Sequence, residues 1–180
     1  MNETMNQNKY FIYTGNAYPH KNLEKLIEAI LLMNGKLKIV SARSIFINRL
    51  ETLIKEKKAQ KNIEIVGFVD DNNLKFLYKN SVAFVFPTLA EGFGLPPMEA
   101  INAGTLAAVS NIPVLKEVYE ESVFYFDPIS VGSIKTSLEN ILKISEEERK
   151  NQIAKSQEFL KKYSWLKMAK ATLKIYESSI

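Results

Sequence analysis

At 180 residues and 46% hydrophobic composition, the chain can bury a sizeable core, and its length favours one domain. The absence of cysteine excludes disulfides and thiolate metal sites, and no apolar run reaches the length of a membrane span. The net charge of +4 is carried mostly by lysines on polar helix faces, clustered only at 55–58 and 161–162, which indicates a solvated surface and not a nucleic-acid site.

Residues 1–8 are polar and read as a disordered tail, not a leader. Tyr10, Phe11, Ile12, Tyr13 and Thr14 read as a first strand, closed by Gly15. Residues 16–20 read as a loop, because Pro19 and its neighbour resist helix. Leu23, Leu26, Ile27, Ile30 and Leu31 then recur at helical spacing over 22–33. A second strand is expected at 36–41, a helix near 46–58 and a third strand at 63–66. Gly67, Phe68 and Val69 make a turn, and Asp70 or Asp71 caps a short helix holding Leu74, Leu77 and Tyr78. The paired aspartates are read as that cap in preference to a metal site.

The apolar run 82–86 reads as a fourth strand buried on both faces, with further strands at 106–109 and 123–126. Helices are expected near 113–121, 131–144, 146–162 and 165–178. This alternation predicts an α/β fold, a doubly wound, Rossmann-like parallel sheet of about six strands with extra C-terminal helices, in one domain over 9–180. Ligands of such sheets sit beyond the strands' carboxyl ends, where strand order reverses. The loops after the first, third and fourth strands are therefore expected to share a site.

The loop after the fourth strand carries the most information. The run stops at Pro87; Gly92 and Gly94 flank Phe93; Pro96 and Pro97 precede a helical pattern through Met98 and Ile101 that ends at Gly104. A strand, a glycine turn and a helix start together aim backbone N–H groups at an anion such as phosphate. Glu91 stands before the glycines, and Glu99 is expected in the helix's first turn. Taken singly, Glu99 reads as an acid favoured near a helix start and Glu91 as a solvated loop residue. Bracketing the glycines, they read as a ligand-binding pair. Lys21 is a candidate phosphate contact, and His20, the only histidine, reads as its structural neighbour.

The run Ala90-Glu91-Gly-Phe-Gly-Leu-Pro-Pro-Met-Glu99-Ala resembles the E-x7-E signature of the retaining GT-B glycosyltransferases of family four. Tyr13-Thr-Gly15 with Pro19-His-Lys21-Asn22-Leu, Val66-Gly-Phe-Val69, Ala103-Gly104-Thr105, Ser110-Asn111, Phe126-Asp-Pro128 and Tyr163-Ser-Trp165 match the family in order and spacing. The resemblance implies the C-terminal, donor-binding lobe of a two-lobed enzyme that makes glycans or polysaccharides. The donor would be a GDP- or UDP-linked sugar, with no metal or other cofactor. Glu99 would bind the ribose hydroxyls and Glu91 the transferred sugar. Gly15, Asn16 and Lys21 would line the phosphate loop, with Lys21 steadying the departing diphosphate. Gly92, Phe93, Gly94 and Leu95 would offer backbone N–H groups, and Gly67, Phe68 and Val69 would seat the base.

Two positions depart from the pattern: Asn16 stands where the family usually has arginine, and Leu106 where it commonly has proline. Either Lys21 works without a cationic partner or another group such as Arg43 reaches in. The resemblance also implies a missing N-terminal acceptor lobe, so the isolated chain is expected to be inactive. A stand-alone donor subunit acting with a separate acceptor-lobe chain, and a non-catalytic degenerate module, are the alternatives. A cytoplasmic location is expected, with membrane contact only through the full enzyme. Trp165, Met168, Leu173 and Tyr176 form a stripe expected to pack. With its usual partner lobe missing, their helix is expected to be displaced or to present apolar surface.

Overall fold

The computed structural model describes residues 9–42 and 44–178; the tail expected at 1–8, and Arg43, lie outside them. Six strands form one parallel sheet: β1 (Phe11–Thr14), β2 (Leu37–Val40), β3 (Ile63–Ile65), β4 (Ala83–Phe86), β5 (Leu106–Ser110) and β6 (Phe124–Phe126). Their order is β3-β2-β1-β4-β5-β6. Strands β1, β4 and β5 are wholly buried, which is why their sequences are apolar without alternation up to the terminal Thr14 and Ser110. The register sets Phe11 beside Leu37, Ile12 beside Phe84 and Ala83 beside Leu106.

The helices are α1 (Leu23–Leu32), α2 (Ile45–Glu56), α3 (Asp71–Lys79), α4 (Leu95–Asn102), α5 (Pro113–Tyr119), α6 (Val131–Lys143), α7 (Glu146–Leu160) and α8 (Trp165–Ser178). Right-handed crossovers put α1 and α2 on one face and α3, α4 and α5 on the other. The chain then returns so that α6 packs on α1 and α7 on α4. Side-chain caps start several helices where small polar residues precede an apolar pattern: Ser44 accepts from Ile47 N and Asp70 from Asn73 N, and Ser145 and Glu148 form a capping box. Asp70, not Asp71, is thus the cap of α3.

Arg149 on α7 donates to Ser81 O at 2.9 Å and Val82 O at 2.6 Å, tying that helix to the amino end of β4. Burial disfavours its charge and lowers its pKa, with nearby Glu146 opposing the shift. Helix α8 has no buried residue, and Trp165, Leu166, Met168, Leu173, Ile175 and Tyr176 are exposed. The stripe expected to pack is therefore more than half exposed among the described residues, and the helix presents apolar surface, one of the two expected outcomes. Among the described residues no helix is long and apolar enough to cross a membrane.

Candidate functional site

The strand order reverses between β1 and β4, and beyond their carboxyl ends is where a sheet of this kind has its ligand crevice. The loops after these two strands meet there. After β1, Tyr13 donates its hydroxyl to Asn16 O at 2.6 Å, folding the chain back over the strand end. Residues 16–20 are not simply a loop, because Pro19–Lys21 form a 3-10 turn. Pro19 is preorganised for a first helical position, where its missing N–H leaves nothing unpaired. That turn brings Lys21 to face the β4 loop.

Asn22 follows in the left-handed region at φ 57°, buried, with its side-chain amide donating to Pro87 O at 3.1 Å and Pro128 O at 2.8 Å. It joins the loops after β1, β4 and β6. Leu89 N donates to His20 O at 2.7 Å, and the buried Thr88 hydroxyl lies 3.0 Å from Ala90 O and 3.3 Å from His20 O. His20 thus serves through its carbonyl, while its ring is exposed beside Tyr18.

Lys21 Nζ pairs with Glu91 Oε1, and the two side chains are only 12% and 13% exposed. The same ammonium lies 5.3 Å from the Phe86 ring centroid. Asn16 accepts from Tyr18 N at 3.4 Å, so its side-chain oxygen closes its own turn.

In the β4–α4 loop, Gly94 is the cap of α4 in the left-handed region, at φ 82°. Its carbonyl accepts the buried Tyr119 hydroxyl from α5. A Cβ there would be strained by the left-handed backbone and would meet Leu115 Cδ2 at 2.7 Å, so glycine is favoured on both counts. Phe93 is 38% exposed, its ring edge-on to Tyr163 at 5.4 Å. Pro96 and Pro97 carry no N–H, so between Glu91 and the body of α4 the available amides are those of Gly92, Phe93, Gly94 and Leu95.

Helix α4 starts at Leu95, so Glu99 is its fifth residue and lies in the second turn, not the first. The prolines begin the helix earlier than a cap placed by the glutamate would suggest. Glu99 is exposed at the rim, yet partial burial of its carboxyl raises its pKa, and Asp71 on α3 adds to the rise.

Buried phenols surround the two acids. Burial pushes Tyr78 up to about 12; its hydrogen bond with Thr14 at 2.6 Å opposes this and the charge of Glu99 adds to it. Tyr13 is raised by burial and then by Glu91. Tyr119 is raised mainly by burial, against a hydrogen bond from the Met98 amide and with smaller contributions from Tyr163, Glu99 and Glu91. Both glutamates therefore act on one phenol; Lys21 and Glu91 meet between the loops after β1 and β4, and Glu99 stands on α4, which follows the second of those loops.

Gly15 lies at the end of β1, held by its N–H to Val40 O at 3.1 Å. Gly67, Phe68 and Val69 follow β3, at the same end of the sheet but two strands from the reversal. Phe68 is 85% exposed, while Val69 packs on the core. Sequence reasoning placed Tyr13 in the first strand, Tyr78 in the short helix and Asn22 at a helix start within the resembling phosphate loop, but gave none of these, nor Leu115 or Tyr119, the contacts described above. Their partners are distant in sequence or are backbone carbonyls, which no residue pattern announces. Among the described residues no three His, Cys, Asp or Glu side chains are grouped to hold a metal ion.

Over residues 2–159 the sequence matches the family model described as Glycosyl transferases group 1. It is 32% identical over 134 residues to the O-antigen chain mannosyltransferase RfbU of Salmonella typhimurium, a match covering 73% of this chain and 38% of that protein. Sucrose-phosphate synthase from Thermosynechococcus elongatus superposes with a TM-score of 0.84 at 20% identity, over 97% of this chain and 46% of that one. TarM of S. aureus, crystallised with UDP and alpha-GlcNAc-glycerol among its ligands, superposes with a TM-score of 0.82 at 16% identity, over 97% of this chain and 36% of that one. The chain thus spans less than half the length of these relatives.

Proposed function

The chain belongs to the glycosyl transferases group 1 family, and from that premise we propose that it binds the nucleoside-diphosphate sugar from which a glycosyl group is transferred to a glycan. The observation that carries this reading is the Lys21–Glu91 ion pair, which joins the loops after β1 and β4 where strand order reverses, beside a glycine loop that starts the helix carrying Glu99. Glu99 accepts the ribose diol through a carboxylate with two acceptor oxygens, a fit that neutral side chains match poorly. Gly92, Phe93, Gly94 and Leu95 present N–H groups to the diphosphate and sugar, and the 67–69 loop seats the base.

Lys21 neutralises the diphosphate. At about 4 Å and an effective dielectric of about 20, one such contact is worth about 4 kcal/mol before desolvation is subtracted. Charge grows on the phosphate as the glycosidic bond breaks, so part of that interaction is selective for the transition state. The family's usual arginine is Asn16 here, which leaves Lys21 as the loop's phosphate cation. The transferred sugar is mannose, by likeness to RfbU. The relatives are more than twice as long as the matched part, and the acceptor belongs with that remainder, so this chain alone binds donor without transferring it.

Calorimetric titration with GDP-mannose, GDP, UDP-glucose and UDP tests the reading. One guanosine or uridine pair should bind, and Glu99→Ala should weaken it by roughly 10- to 100-fold through loss of a charge-assisted contact. Failure of all four ligands to bind would remove the reading.

The pH dependence follows from the raised pKa of Glu99. Diol binding needs the ionised carboxylate, so affinity should fall as pH drops through that pKa, beginning above the range of an ordinary glutamate, about 4.3. A nucleotide sugar is the ligand to use, because its diphosphate has no group titrating there. Asp71→Asn should move the fall to lower pH by removing the second cause of the rise, and an unchanged profile would contradict this.

A further inference from the structure

We propose that Glu91 is the resident counter-ion of Lys21, given up when a sugar nucleotide binds and reclaimed when only the bare nucleoside diphosphate remains. This rests on the nucleotide-sugar reading above and adds to it a device for discriminating donor from product.

The ion pair occupies the place where an incoming phosphate would need the ammonium. Both side chains are nearly nine-tenths buried, so neither charge has water to fall back on when separated from the other. The phenols near Glu91 are committed elsewhere: Tyr13 donates to Asn16 O and Tyr119 to Gly94 O. Neither proton can replace Lys21 on the carboxylate. Asn16 adds no charge, so Lys21, Glu91 and Glu99 together carry one net negative charge before an anionic ligand arrives. An anion that draws Lys21 away leaves Glu91 stranded in a site with little water.

A sugar on the second phosphate resolves this, because its hydroxyls donate to the carboxylate while the ammonium moves to the diphosphate. The bare diphosphate has no such hydroxyls. Glu91 then recovers Lys21, and the nucleotide is displaced. Gly92 faces open space, so Glu91 can shift beside it while Gly94 and α4 stay where they are. This differs from a carboxylate that merely touches the sugar, which leaves the affinity for bare diphosphate untouched.

The test is titration of the wild-type chain and Glu91→Gln with GDP-mannose, GDP and inorganic pyrophosphate, and with UDP-glucose and UDP if the uridine pair is the one that binds. The expected result is opposite signs: Glu91→Gln binds the bare diphosphate and pyrophosphate about tenfold more tightly and the sugar nucleotide less tightly, collapsing the preference between them. The double variant Lys21→Met, Glu91→Gln leaves no buried charge unpaired, and the gain for pyrophosphate should vanish in it. Bare-diphosphate affinity in Glu91→Gln that is unchanged or weaker overturns the proposal while leaving the nucleotide-sugar reading standing. Wild-type chain that binds neither member of either pair overturns both. Protection of the Lys21 amine against acylation, lost in Glu91→Gln, reads the pair without any ligand, and equal reactivity in the two chains also overturns the proposal.

Discussion

Replacing Gly94 with alanine should lower stability by roughly 2–5 kcal/mol and remove donor binding in the same step. Two costs add at this position. A side chain at φ 82° is strained in the left-handed region whatever the surrounding space. The new Cβ would also stand 2.7 Å from Leu115 Cδ2, so the end of that fully buried side chain must shift within a close-packed core. The Gly94 carbonyl is held from below by Tyr119, so the strain cannot be relieved by sliding the loop without giving up that hydrogen bond. Relief in the other direction pushes the 92–95 amides out of line with the crevice.

Thermal unfolding should show a Tm lower by roughly 5–15 °C for a chain of this size. Leu115→Ala should cost less in the Gly94→Ala chain than in wild type, making the two substitutions non-additive. A Gly94→Ala chain within about 0.5 kcal/mol of wild type would mean that the loop is not built as described.

The second large effect is expected at Asn22. Asn22→Ala removes two hydrogen bonds to buried carbonyls and places a Cβ-bearing residue without asparagine's local compensation in the left-handed region, at a combined cost of roughly 2–4 kcal/mol. Those carbonyls belong to Pro87 and Pro128, so the loss frees the loops after β4 and β6 from the loop that carries Lys21. Asn22→Gly keeps the backbone conformation and loses only the bonds, so it should be the milder of the two. Asn22→Asp should be the worst, since a carboxylate would face two carbonyl oxygens. Denaturant unfolding of the three variants orders them. Equal losses for alanine and glycine would show that the backbone conformation contributes nothing.

Much of the fold was legible because burial on both faces of a parallel sheet leaves a local mark. Phe11–Thr14, Ala83–Phe86 and Leu106–Ser110 are apolar without alternation up to the terminal Thr14 and Ser110, and the helices between them repeat at their own spacing. Element ends were less legible. Pro19 was read as a breaker and instead starts a 3-10 turn, and the Pro96-Pro97 pair starts α4 early enough to move Glu99 into the second turn. Both errors have one cause: proline's fixed φ suits a first turn as well as a loop, and which one forms depends on what the following residues pack against. The stripe on α8 shows the reverse limit, since apolar spacing states that a face needs a partner without saying that one is present.

By itself, the sequence determined the strands, most of the helices and the glycine turn bracketed by acids, because these follow from side-chain period, backbone freedom and charge within a few residues. Only the tertiary structure decided that Lys21 pairs with Glu91 across 70 positions, that Asn22 fastens three loops, and that Tyr119 supports Gly94. Those contacts are set by strand order, which brings the ends of β1 and β4 together. Strand order is a property of the whole packed sheet, and no local stretch of residues encodes it.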